Sequence, residues 1–212
     1  MGCDIHCYIE YRDRDVSDLE DKSWSSFGGR INPGRNYAIF SLMAGVRSWN
    51  EGNILFEPRG LAENLGYYSR GDNFLYITAD EKECSCGGSC DSVSMSKAEK
   101  WVKSGSSYFK NNREGKPTWV SQPDWHSHSW LSLSEFRQVL EKYKEVEQRE
   151  WEELEKDRVE LLNKVPENER EQSWLYKPYA HATAPGYQAM EAAMSRYEEL
   201  GYESRLVFWF DN

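Results

Sequence analysis

The chain has 212 residues, a formal net charge of -10 and 14% aromatic residues. That length fits one domain able to bury a core without disulfides or metal. The nine Trp, thirteen Tyr and eight Phe exclude a generic disordered chain. The acidic balance argues against coating long DNA or RNA, yet a few local arginines suffice for a small phosphorylated ligand.

No apolar run approaches the roughly 20 residues needed to cross a bilayer. The N-terminus lacks the basic and apolar segments of a signal peptide. Met1-Gly2 opens like a myristoylation motif, but that motif wants Ser or Thr where this chain has His6. The five Cys form an odd set, which reads as reduced thiols. Together these features predict a cytoplasmic protein with no membrane partner.

Residues 3–10 alternate strictly, with Cys3, Ile5, Cys7 and Ile9 on one face and Asp4, His6, Tyr8 and Glu10 on the other. A period of two predicts a strand with one buried face. Trp24 to Phe27 reads as a short strand, followed by the turn signals Gly28-Gly29 and Asn32-Pro33-Gly34. A helix is predicted over Tyr37–Val46, capped by Asn36. Pro58-Arg59-Gly60 opens a turn, with one helical turn through Asn64. Phe74–Thr78 reads as a strand. Residues 80–118 look like an elaboration, with a short helix near Ser96–Lys103 and a strand at Thr118–Val120.

Ser132 and Glu135 form a capping box. The helix they start continues to about residue 165, and its charged second half is expected to project or to pack on a partner. A homo-oligomer through this helix is one such partner. A last helix spans Pro185–Leu200, and Arg205–Phe210 reads as a buried strand. The expected fold is α+β, one domain over 1–212, with both terminal strands in one mixed or antiparallel sheet.

The four His are His6, His126, His128 and His181. If residues 125–130 are extended, His126 and His128 point the same way. Asp4, His6, His126 and His128 then suit a divalent metal such as Zn or Mn, or an acid/base centre with the three His as catalytic groups. The competing reading is ordinary hydrogen bonding beside the sheet. Arg30, Arg35, Arg47, Arg59 and Arg70 punctuate one segment. Arg35 and Asn36 lie at a predicted helix N-terminus, where an anion is favoured. Arg35, Asn36, Arg47 and Arg59 are therefore candidate phosphate contacts, with Trp130 as a stacking surface; capping and local ion pairs are the alternative. Cys84, Cys86 and Cys90 suit a separate zinc, against free thiols in a Gly-rich loop. His181-Ala-Thr183 resembles the His-x-Thr element of two-histidine phosphodiesterases, but no second element is present.

Five blocks carry a further resemblance: Met1-Gly-Cys-Asp-Ile-His6, Arg35-Asn-Tyr37 to Arg47, Pro58-Arg-Gly-Leu61, His126-Ser-His-Ser-Trp-Leu131 and Leu206-Val-Phe-Trp-Phe-Asp-Asn212. As a set they are similar to a family of small bacteriophage and bacterial proteins with no established activity. The resemblance hands over no mechanism, but it groups Asp4, His6, Arg35, Asn36, Arg47, Arg59, His126 and His128 in recurring blocks. A phage setting, in the host cytoplasm, implies anti-defence action on a nucleotide immune signal. The expected function is His-based or metal-assisted phosphodiester hydrolysis of a nucleotide or cyclic nucleotide. The alternatives are a sponge that binds the nucleotide intact, and a protein–protein inhibitor of a host defence protein.

Overall fold

The computed structural model describes residues 2–14, 24–48, 54–78, 92–180 and 183–211. The fold is α+β, and its first sheet is built around the two terminal strands. β1 (Ile5–Asp13) pairs antiparallel with β8 (Tyr202–Phe210) along nine residues, from Ile5↔Phe210 to Asp13↔Tyr202. β2 (Ser25–Ser26) flanks β1, and β7 (His126–Ser132) flanks β8.

Alternation gives this sheet two buried faces. On one face Ile5, Cys7, Ile9, Phe208 and Phe210 meet α1 (Tyr37–Ala44), α4 (Leu133–Asn163) and α5 (Pro185–Glu199). Phe40, Phe136, Tyr187 and Met194 fill the layer between. Each such side chain contributes about 1.5–3 kcal/mol by leaving water. Asn36 caps α1 as expected, accepting from the Ile39 N–H at 3.0 Å. Ser132 and Glu135 form the capping box of α4.

On the other face Tyr8, Val207 and Trp209 pack against Ala62, Leu65 and Phe74. α2 (Tyr67–Asn73) and β3 (Phe74–Thr78) run over this face. β3 belongs to a second, mixed sheet with β4 (Ser92–Ser94), β5 (Phe109–Asn111) and β6 (Pro117–Ser121), in the order β4-β3-β6-β5. α3 (Met95–Lys103), capped by Ser94, seals it through Ala98, Ile77, Val93 and Val120. The stretch read as an elaboration thus supplies β4, α3, β5 and the start of β6.

α4 has 31 residues, roughly 46 Å at 1.5 Å per residue. Its buried core positions stop at Val146. Beyond that point residues 164–180 return alongside it. Trp151 Nε1 donates to the Tyr179 carbonyl at 2.9 Å. The buried Arg158 donates to the Leu175 carbonyl and pairs with Glu155. No helix among the described residues is long and apolar enough to cross a membrane.

Candidate functional site

The alternation of β1 puts His6, Tyr8 and Glu10 on the sheet face turned toward α2, and Trp209 lies directly across from His6. After the turn at Gly28, which takes a φ of 70°, the chain runs back beside β1. The Ile31 N–H donates to the Cys7 carbonyl at 2.8 Å. This bridge sets Arg30 over His6, with Arg30 Nη1 2.7 Å from His6 Nδ1. Arginine has no acceptor, so Nδ1 accepts and the proton sits on Nε2. Nε2 then donates to Asp211 Oδ2 at 2.9 Å. Asp211 therefore orients a neutral imidazole whose free lone pair is covered by a guanidinium. The residue is 7% exposed, and its ring packs on Trp125 and Trp209.

β7 does not deliver its two histidines together. His126 pairs with Phe210 and Ser129 with Phe208, so three steps on β7 oppose two on β8. The extra residue is a bulge, and Ser127 takes a φ of 51° there. His126 consequently stacks on Phe210, on the helix side of the sheet. His128 stacks on Trp209, on the α2 side. The expectation that the two rings share a face assumed a regular strand, and the bulge overturns it. His128 Nε2 donates to Asn73 Oδ1 at 2.8 Å. Burial, and then the neighbouring His126, lower its pKa to about 4, so it is neutral at pH 7. His126 Nδ1 meets Ser127 Oγ at 3.0 Å, and its Nε2 is buried without a partner among the described residues.

A buried ionic hub locks α2 to the sheet. Glu10 is fully buried and receives Nε and Nη2 of Arg205, its cross-strand partner, at 2.9 and 2.6 Å. Its other oxygen accepts from the Gly66 N–H at 2.8 Å and from the Ser69 hydroxyl. A Cβ on residue 66 would collide with Ser26 Oγ and stand 3.0 Å from the Glu10 carboxylate. Glycine is what allows this close backbone approach. Asn73, at the other end of α2, ties the helix to His128.

Anchored this way, α2 forms one wall of an open cleft of about 420 Å³ between the two sheets. That volume falls in the range of small-molecule sites. Tyr67, Tyr68 and Tyr76 line it while 74%, 51% and 47% exposed, and Trp119 joins them. Trp119 is partly buried against the core, but three tyrosine rings left on a surface await a ligand or partner more readily than they serve a core. Arg30 and Arg70 bring positive charge. On the floor the buried Tyr8 hydroxyl donates to Asp72 Oδ2 at 2.5 Å, and burial, reinforced by that carboxylate, holds its pKa far above the ordinary tyrosine value. Arg30 lies 3.9 Å from the same Asp72 oxygen. Asp211, Tyr8, Arg70, Asp72, Tyr76 and Trp119 were not among the site residues expected from sequence. The Tyr67-Tyr68 doublet followed by Arg70-Gly71-Asp72 is the one local signal that marks the cleft.

The remaining expected residues lie elsewhere. Asp4 is gripped by Arg35 through two hydrogen bonds of 2.5 and 2.8 Å, which hold its carboxyl below the usual range. Asn36 is a cap. Arg47 lies against the buried Cys3 thiol, where burial outweighs the guanidinium and raises the thiol pKa. Arg59 makes a bidentate pair with Glu135 and stacks 4.9 Å from the Trp130 ring centroid. These two line a second cleft with Arg12, Trp24 and Arg205, in which each arginine already has a glutamate. Cys84, Cys86, Cys90 and His181 fall outside the described residues.

The four residues expected to share a metal do not converge. His6 and His128 are two strands apart, about 10 Å in the sheet, with Trp209 between them. Imidazole nitrogens on one ion each lie about 2 Å from it. Among the described residues no group of three or more His, Cys, Asp and Glu is placed to hold a metal. What the geometry offers is an aromatic cleft with cationic groups, bordered by an oriented histidine. No family model matches the chain, and comparisons with curated proteins and with solved structures find no match.

Proposed function

We propose that the protein binds a small phosphorylated aromatic ligand of the nucleotide class in the cleft beside α2. The observation that carries this reading is the convergence of three exposed tyrosines and the partly buried Trp119 with Arg30 and Arg70 in one concave site. Ring faces accept a base by stacking, at about 1–3 kcal/mol per base. Guanidinium forks accept phosphate oxygens in pairs. The phage-type resemblance makes a nucleotide immune signal a natural occupant, and sequestration follows from binding alone. Titrating the protein with a nucleotide panel, and following Trp fluorescence and heat, tests the proposal. A panel of purine and pyrimidine nucleotides that leaves both signals flat at millimolar concentration sinks it.

A second reading, hydrolysis, draws on the pairing of His6 with Asp211. A phosphate that recruits Arg30 uncovers Nδ1 of His6, and Nδ1 is then free to take a proton from an attacking hydroxyl. Arg30 would neutralise charge building on the phosphoryl oxygens. Ligand released by heat from the complex separates the two readings: intact nucleotide supports sequestration, and fragments that disappear in His6→Gln support hydrolysis.

A further inference from the structure

We infer that the cleft has two separate anion positions and so selects a ligand carrying two phosphates that are not neighbours, as in a dinucleotide. This rests on the nucleotide reading above and adds the ligand's architecture. The first position is Arg30, which belongs to the first sheet through the Ile31–Cys7 bridge and touches His6. The second is Arg70, which belongs to the other side of α2. Successive helical residues turn by about 100°, so Arg70 and Asp72 diverge by about 200° around the helix. Asp72 faces Tyr8 and Arg30. Arg70 lines the cleft together with Phe74, Tyr76 and Trp119 of the second sheet, and Lys110 of β5 is near enough for its ammonium to be disfavoured by burial first and then by Arg70.

Arg70 and Lys110 form a like-charged couple with no carboxylate partner among the described residues. Lys110 spans the Phe74 ring, with Nζ 5.1 Å from its centroid, and Phe74 lines the cleft. Many arginines of the described surface are already spent on carboxylates. Arg12, Arg35, Arg59, Arg137, Arg158 and Arg196 each hold a carboxylate. In a chain with ten more acidic than basic residues, Arg70 in the cleft and Lys110 over the ring of the cleft-lining Phe74 are a position kept open for an anion. Tyr76 and Trp119 stand beside this position, with ring centroids 5.3 Å apart, while Tyr67 and Tyr68 stand on α2. By helical spacing Tyr67 falls on the face of Arg70 and Tyr68 on that of Asp72, beside Arg30, so each anion position has an aromatic neighbour, as two nucleotides require.

The test is calorimetric titration of the intact protein with AMP, ADP and the linear dinucleotide pApA. The expected result is pApA at least about tenfold tighter than AMP, the gain of roughly one charge-assisted contact, with ADP failing to recover that gain. The pApA-to-AMP ratio falls toward one in Arg70→Gln and in Lys110→Gln, whose side chains are exposed and whose folding is checked by circular dichroism. AMP and pApA within twofold of each other, ADP equal to pApA, or a ratio untouched by both substitutions overturns the inference while leaving nucleotide binding intact. Absence of binding by all three ligands overturns both.

Discussion

Arg30 shares one nitrogen, Nη1, between two partners: it lies 2.7 Å from Nδ1 of His6 and 3.9 Å from Asp72. The guanidinium is half exposed, so it covers a buried histidine with a group that a ligand can reach. In the proposed function, a phosphate that takes Arg30 uncovers His6 in the same event.

Replacing Arg30 with Gln is expected to weaken nucleotide binding by roughly tenfold or more, through loss of a charged contact. Thermal stability should change little, because the side chain lies at the surface. Calorimetric titration beside a melting curve checks both halves. Undiminished affinity would remove Arg30 from the site.

The buried Glu10–Arg205 pair sets a larger stability effect. Glu10→Gln leaves the Arg205 guanidinium buried without its counter-charge, at an expected cost of about 3–5 kcal/mol. The double variant Glu10→Leu, Arg205→Met should recover much of that loss, since it leaves no lone charge behind. Urea melts of the three proteins measure this. A single variant within about 0.5 kcal/mol of the parent, the range of ordinary surface substitutions, contradicts the argument.

His128 predicts an acid sensitivity. Its pKa is lowered to about 4 in the fold, against about 6.5 in the unfolded chain. The unfolded chain therefore takes up a proton between these values and the folded one does not. The stabilisation is fully present above pH 6.5, declines as pH falls toward 4, and amounts to on the order of 3 kcal/mol. Denaturant melts at pH 7, 5.5 and 4.5 read this loss, and His128→Gln should flatten that part of the profile. An identical profile in the variant assigns the sensitivity to other groups.

Arg158 fastens the returning segment to the outer half of α4. Arg158→Gln should speed proteolytic nicking within residues 164–180 while leaving nucleotide affinity unchanged, because the cleft lies on the opposite side of the first sheet from α4. Peptide mapping after limited trypsin digestion shows where cuts appear. Unaltered cleavage kinetics would mean that the other contacts hold the segment without it.

Where order is local, the chain announces it. The alternation of residues 3–10, the Asn36 cap, the Ser132–Glu135 box and the terminal Arg205–Phe210 run all appear as elements at their expected places. α2 does not announce itself, since Gly71, Asp72 and Asn73 are poor helix formers. It forms because Glu10, 56 residues upstream, fixes Gly66 and Ser69. The histidines show the same division. His6 falls on the face that alternation assigns to it, but its partner Asp211 lies 205 residues away. One bulged residue at Ser127 then reverses the relation of His126 to His128. Register and long-range pairing, rather than composition, decide which polar groups meet.

The pairing of β1 with β8 also sets a timetable. During synthesis the strand carrying His6 emerges early, then waits for the strand carrying Trp209 and Asp211 before its hydrogen bonds close. Until then Ile5, Cys7 and Ile9 have an unpaired edge, and contacts this distant in sequence form slowly. A chain interrupted upstream of β8 therefore lacks the middle of its sheet and the Trp209 ring on which Tyr8, the cleft floor, stacks. Only a polypeptide read through to Asp211 holds Tyr8 and His6 in their places beside the cleft, so a truncated product presents an open sheet edge to proteolysis.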